Sequence, residues 1–537
     1  MIYDFAVIGS GFGGSVSALR LVEKGYSVAV IEEGRYFKDN DFPSTNNNPF
    51  RFFWKPEFFC FGYQRVHFFK HVSILGGSGV GGGSLVYANT LLVPKEDFFK
   101  TPELPPDIDW RSELLPFYDV GSRMLGKVKN KAKTTADELI YETAKHFGVE
   151  DTFYNADIGV FFGEKDKTVK DPYFKGEGPD RTGCNLCGGC MIGCKKNAKN
   201  MLTKNYLYLA IKKGAKIFPE RKVFDIEKKG DYFLIKAKES TVPALKEHIF
   251  RARKIVIACG VVGTLELLFN LKIKGRLNIS DKLGENVRTN SESLVGVRVP
   301  KKVGVIGEGT AITTGVYLNE HTHLEPVRYS KGANGMAILT TLLIDEREGE
   351  SRVKTFFKEV AKHPFKTLKA LNPIGFGSQG LIILVMQDRD NKIKIKARET
   401  LTGRVKLYSD IYPDSPPAPV YIPEANEFAK KLAELYGGVA LSNIYEVFFN
   451  SPLTAHILGG CSIGESERDG VIDSNHRLFG EENVYVCDGS VIPANLGVNP
   501  SLTITAFAER AMSKIPPKKE KVKHIGYEVL NEGLQKD

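Results

Sequence analysis

Three groups of residues in this chain are of the types and spacings that do redox or proton chemistry. The first is "CNLCGGCMIGC", where Cys184, Cys187, Cys190 and Cys194 stand as C-x2-C-x2-C-x3-C. Thiolates at that spacing suit an iron–sulfur cluster, 4Fe–4S or 3Fe–4S, and the intervening glycines leave N–H groups free to bond cluster sulfides. Zinc sites usually join two C-x2-C pairs across a longer spacer, so the run is compressed for that metal. Disulfides or free thiols are the third reading. The fourth cluster ligand stays open: Cys194 folding back, or a remote thiol such as Cys60. The second group is His456, in the irregular stretch "SPLTAHILGGCSIG", and Asn499, directly before Pro500. A neutral imidazole suits a general base near pH 7, against the plainer reading of a histidine bonded to a turn. An asparagine before Pro at a helix start can cap the helix, aim its amide at a ligand, or both. The third group is glycine: Gly9, Gly11 and Gly14 in G-x-G-x-x-G, and six glycines in the eight residues 76–83.

The elements that must position these groups are legible around them. "DFAVIG" reads as a buried strand, "SVSALRLVEKG" as a helix and "SVAVIEEG" as a second strand, with the glycine motif between the first two. That order is a dinucleotide-binding βαβ unit. Its glycines give a tight turn, close approach of a pyrophosphate, and helix–strand packing. The helix start offers N–H groups to phosphate. Glu32, eighteen residues past Gly14, stands where an acid holds the adenosine ribose hydroxyls. In the second glycine loop, residues including Gly79, Gly81, Gly82, Gly83 and Ser84 let backbone lie against a ligand and form an anion-binding concavity. Strand "KIVIACG" and helix "VVGTLELLFNL" form a further strand–Gly–helix unit. Strand-like and helix-like pieces alternate over residues 295–450 without a nucleotide motif. Residues 50–69 hold ten aromatics, which fits either core or an apolar lid over a greasy substrate.

With these pieces assembled, the chain resembles the glucose–methanol–choline (GMC) flavoprotein oxidoreductases, and within them the cholesterol-oxidase-like branch. "GFGGSVSALRLVEKG" with Glu32, "GVGGGSLV", "AHILGGCSIG" and "YVCDGSVIPANLGVNPSLTITAFAER" carry the resemblance. It implies FAD, held by the two glycine loops and by Asp488 and Gly489, and it places His456 and Asn499 on the branch's catalytic pair. The branch also uses a glutamate in its substrate domain, which no motif locates here. Tyr87 stands in "YAN" where the steroid oxidases carry an Asn first. The implied fold is α/β, a Rossmann-type FAD-binding domain interleaved with an α+β substrate domain on a mainly antiparallel sheet. The expected divisions are 1–125, 206–292 and 451–515 for the FAD domain, 126–205 for an insert with the cysteines, 293–450 for the substrate domain, and 516–537 for a basic tail.

Together the motifs lead to one expectation. An FAD-dependent dehydrogenase oxidises a hydroxyl of an apolar, sterol- or isoprenoid-like substrate with His456 as base. Electrons then leave through the cysteine-bound cluster to a quinone or carrier protein. Three alternatives stand beside it: an oxygen-using cholesterol-oxidase-like enzyme with structural cysteines, an electron-transfer subunit, and a flavin-dependent double-bond reductase. His67 and His71 read as structural, His321 and His323 could chelate a metal only with partners that no motif supplies, and Cys259 and Cys487 read as small core hydrophobes. The charge of +10 is spread along the chain, which argues against a nucleic-acid groove, while the tail permits contact with an anionic membrane surface. "MIYDFAVIGSG" enters a strand at once, and no apolar run nears the ~20 residues of a membrane helix, so a cytoplasmic location is expected. Only four glutamines occur, which suits a hot source.

Overall fold

The structure, a computed structural model, describes residues 1–241, 246–518 and 524–527. Most of the basic tail therefore lies outside the described residues. The first strand, Tyr3–Ile8, is buried on both faces beyond Asp4, as a strand covered from two sides must be. It pairs in parallel with Val28–Ile31 on one side and with Glu247–Ile257 on the other. Lys216–Phe218 extends the parallel sheet at one end, and Glu481–Val486 pairs in parallel with the last residues of Glu247–Ile257. The first half of that long strand turns to a different task. It pairs antiparallel with Tyr232–Glu239, which pairs with Arg221–Lys229. One eight-stranded sheet results, assembled from segments far apart in the chain.

Helix Phe12–Glu23 packs on this sheet, and helix Ser501–Ser513 packs on Phe12–Glu23. Glycine permits the closeness. A Cβ on Gly14 would lie 2.2 Å from the Gly9 carbonyl oxygen, and one on Gly13 would lie 1.6 Å from that of Cys487. Gly14 thus serves helix–strand packing as its motif position requires. Gly13 seats the helix against the strand from the far end of the chain.

The second sheet has seven strands. Their order is Thr340–Leu342, Val439–Asn443, Ser293–Arg298, Gly380–Gln387, Thr322–Val327, Thr314–Tyr317 and Tyr154–Asn155. Every neighbouring pair runs antiparallel. The apolar run at 381–387 is its central strand, buried along its length except at Ile382. Its register matters for the site. Leu384 stands opposite Leu294 on one side and Glu325 on the other. Paired residues share a sheet face and residues two apart on one strand do so too, so Leu294, Leu384 and Glu325 form one row. Glu292 immediately precedes the strand that carries Leu294.

The aromatic stretch divides between the two roles read for it. Phe52, Trp54 and Tyr63 are core, with Tyr63 packed edge-on to Phe37, Phe42 and Phe52, while Phe50, Phe58, Phe59 and Phe68 are exposed. No helix among the described residues is long and apolar enough to cross a membrane.

Candidate active site

Two joined cavities follow the glycine loops. The first, about 410 Å³, is lined by Gly9, Ser10, Gly11, Glu32, Gly82 and Gly83 among others. The second, about 310 Å³, shares Gly11, Gly83 and Gly260 with it and extends to Glu292, His456, Asp488, Gly489 and Asn499. Gly11, Gly76 and Gly260 each have open space where a Cβ would stand, so the backbone there is bare for close approach of a ligand. Gly79, Gly81 and Ser84 do not line either cavity. They shape the turn behind it: the Gly82 N–H donates to the Gly79 carbonyl at 2.7 Å, and Ser84 Oγ donates to that of Gly81 at 2.7 Å.

Ser10 ties the two glycine loops together. Its Oγ donates to Glu32 Oε2 at 2.6 Å and accepts from the Gly81 N–H at 3.1 Å. Glu32 also accepts from the N–H groups of Ser10 and Gly34, at 3.0 and 2.8 Å. Burial nonetheless pushes its pKa up. Asp488 is held likewise: Thr264 Oγ1 donates at 2.5 Å and the Ser490 N–H at 2.9 Å, while burial raises its pKa.

His456 leaves the short strand Leu453–Thr454 into the second cavity. Its Nδ1 lies 3.2 Å from Glu292 Oε2, off the line of a hydrogen bond. Glu292 is fully buried. Its Oε2 accepts from Thr454 Oγ1 at 2.7 Å and the Ala455 N–H at 3.1 Å, which fixes the carboxylate behind the ring. Burial acts to lower the His456 pKa, but the charges of Glu292 and Glu325 outweigh it, and the net shift is upward. With Nδ1 turned to Glu292, Nε2 is the ring atom left for a substrate proton.

Asn499 does not cap the final helix. Pro500 is the capping residue, without a side-chain bond, and the Asn499 amide turns the other way. Its Nδ2 donates to Glu325 Oε2 at 3.0 Å, and its Oδ1 has no protein partner. The acceptor claims the amide because Glu325 is itself buried and needs a donor. Burial pushes Glu325 up to about 7 despite the Asn499 bond.

Glu292 and Glu325 carry this geometry, and no motif in the sequence reading pointed to them. The only signal is an acid inside a segment whose neighbours are all core, "THLEPV" for Glu325. A buried carboxylate without a cation beside it is rare outside sites. Tyr87 also lines the second cavity. It packs edge-on to Phe12 and donates to the Asn200 carbonyl at 2.9 Å.

Three other histidines have partners within the fold. His71 bonds Ser409, His321 pairs with Asp388, and His323 is buried between Tyr154 and the Gly497 carbonyl. His67 lines the second cavity, with burial lowering its pKa to about 3.

Comparison with known proteins places this arrangement. Models of GMC oxidoreductase match residues 178–289 and 424–508. A cholesterol oxidase from Acinetobacter baumannii is 45% identical over 96% of this chain and 95% of its own length. One from Mycobacterium tuberculosis is 44% identical over 96% of this chain and 92% of its own. This chain belongs to the GMC oxidoreductase family. A long-chain-alcohol oxidase from Arabidopsis thaliana is more distant, 22% identical over 95% of this chain. The fold matches pyridoxine 4-oxidase with a TM-score of 0.63 at 14% identity, covering 95% of this chain and 98% of that one.

As a GMC member the chain is a flavoprotein oxidoreductase acting on alcohol-type substrates, with FAD as its cofactor. The site fits that group. Gly11, Gly76 and Gly260 leave it room, Glu32 and Asp488 offer carboxylates along the cavities, and the starts of two helices border it.

Two expectations need correction. The relatives named above are oxidases, and they do not support an external quinone or protein acceptor. Nor do those relatives support the expected exit of electrons through an iron–sulfur relay. Among the described residues, no three His, Cys, Asp or Glu side chains are close enough to hold a metal ion, and all eight cysteines are free. The four thiols of the run line one cavity.

Proposed function

We propose that this GMC oxidoreductase oxidises a hydroxyl group of an apolar, sterol-like substrate, with oxygen receiving the electrons. The observation that carries the reading is His456, set on the wall of a cavity that is otherwise largely apolar. Ile74, Val327, Met336, Ile382 and Leu384 form much of that wall. Bound FAD supplies the two-electron acceptor for the hydride leaving the carbinol carbon. The protein handles the proton. Nε2 of His456 takes it from the hydroxyl and Glu292 stabilises the imidazolium that results, while Asn499, held by Glu325, lines the same cavity. Oxygen as acceptor, and a sterol-like substrate, are supported by the names of the nearly full-length relatives.

The test is mixing without air, then with it. A 3β-hydroxysterol or a long-chain alcohol in detergent is expected to bleach the flavin, and admitted air to restore it with one hydrogen peroxide per carbonyl formed. Bleaching by polar polyols but not by apolar alcohols would reject the substrate class. Reoxidation by air far slower than by a quinone would reject oxygen and restore the dehydrogenase.

Glu292 makes a separable prediction. In Glu292→Gln the charge that raises the His456 pKa is gone and burial remains, so the inflection on the acidic side of kcat/KM moves to lower pH. Its plateau also falls, since a weaker base accepts the proton less well. An unmoved inflection would remove Glu292 from the proton path.

A further inference from the structure

The cysteine run is the one motif that alcohol oxidation does not use, and the fold has built a chamber around it. Cys184, Cys187, Cys190 and Cys194 all line one cavity of about 750 Å³. Cys60 is not among its walls, and its thiol turns to the Phe58 carbonyl. Each of the four thiols faces a backbone N–H. Leu186 donates to Cys184 at 3.4 Å and Lys199 to Cys194 at 3.5 Å, while Gly189 serves Cys187 and Ala311 serves Cys190. Neutral thiols are weak acceptors that need no such provision. Thiolates bound to a cluster do need it, because N–H bonds to sulfur offset their charge.

The conformation is costly and local. Leu186 has φ +61°, and Gly188 and Gly193 have φ +70° and +80°. A Cβ on Gly193 would strike the Phe42 ring at 2.0 Å. The loop is clamped from outside by the segment at 307–309: the Gly188 N–H donates to the Gly309 carbonyl and the Gly309 N–H to that of Leu186, both at 2.8 Å. The walls are cationic. Lys133, Lys165, Lys195, Lys196, Lys199 and Lys331 border the space, against one acid, Glu308. Lys199 is buried, and its Nζ donates to the carbonyls of Cys190 at 2.7 Å and Leu85 at 3.0 Å, which ties the cysteine loop to the glycine loop.

We propose that this chamber is a second prosthetic-group site that takes an iron–sulfur cluster, with Cys184, Cys187, Cys190 and Cys194 as its ligands. Four thiols lining one cavity suit a polynuclear group, since each iron takes its own thiolate. The positive walls match the net negative charge of a thiolate-ligated cluster. The site abuts the flavin cavity: Met191 lines that one, while its neighbours Cys190 and Ile192 line this one. The proposal does not depend on the choice of substrate or of oxygen.

The test uses the full chain, produced in iron-replete cells and purified without air. Iron and acid-labile sulfide are expected at roughly four of each per chain, or fewer irons for a cluster missing one corner, with a visible absorbance beyond that of flavin. Cys187→Ser, at the exposed member, is expected to lose iron and sulfide while flavin content and the circular dichroism of the fold persist. Cys60→Ser is expected to keep both. Protein that carries FAD but no acid-labile sulfide would overturn the proposal. So would one zinc per chain, or disulfides among the four thiols. Loss of the cluster in Cys60→Ser would overturn the ligand set.

Discussion

His456→Ala lowers kcat with an apolar alcohol by roughly 10²–10⁴-fold, the range that a positioned acid–base group contributes. The fall appears in kcat and in kcat/KM together, because the proton is taken only as the C–H bond breaks. Flavin content should not change, since the groups that fit FAD are the glycine loops, Glu32 and Asp488, and the substitution leaves them in place. Rapid mixing without air separates the steps: flavin reduction slows by that factor, and reoxidation by oxygen does not. His456→Gln keeps a polar side chain there but no base, and falls nearly as far. A variant that reduces flavin at the wild-type rate would transfer the base role elsewhere.

Glu325 is the second large effect, and its sign depends on the replacement. Glu325→Leu leaves the Asn499 amide buried with no acceptor, a penalty of about 1–3 kcal/mol. If the amide then turns from the substrate, kcat/KM falls roughly ten- to hundredfold. Glu325→Gln preserves an acceptor and should retain most of the rate. Its signature lies in pH. Burial places the Glu325 carboxyl at about 7, above the range of an exposed carboxylate, so the folded chain holds a proton there that the unfolded chain has released. Stability therefore falls as pH rises from the ordinary carboxylate range to about 7, then levels. Glu325→Gln removes that slope: relative to wild type it gains thermal stability above pH 7 and gains none near pH 4. Glu325 also raises the His456 pKa when ionised, so the two titrate as a pair and the wild-type pH–rate profile belongs to both. In Glu325→Gln the profile should reduce to a single inflection on the acidic side. Parallel melting curves for wild type and Gln variant across pH would refute the buried titration.

What the sequence alone determined is what local chemistry determines. Gly9 sits at φ +94° where a Cβ would lie 2.1 Å from the Ala258 carbonyl oxygen. Only glycine serves there, so its position in the strand–turn–helix order is readable in one dimension. His456 and Asn499 were singled out by the family resemblance, since local composition alone left a histidine bonded to a turn and a helix-capping asparagine open. The antiparallel substrate sheet was implied by the family resemblance, while the residues themselves marked only strand-sized pieces such as the apolar run at 381–387.

What only the tertiary structure decided is who stands behind those two residues. Glu325 reaches Asn499 because the central strand of the second sheet pairs Leu384 with it in one register, and a slip of one residue would turn that acid to the opposite face. Glu292 reaches His456 because the strand after it leads into the other side of the same row. Register is a property of pairings between distant segments, and neither acid has a neighbour in sequence that announces it. The cysteine run makes the same point from the other side. Its spacing spoke for a cluster but left the fourth ligand open. The fold places Cys194 with the other three thiols on one cavity, leaves Cys60 off its walls, and holds the loop through residues 307–309, and the proposed ligand set rests on that placement.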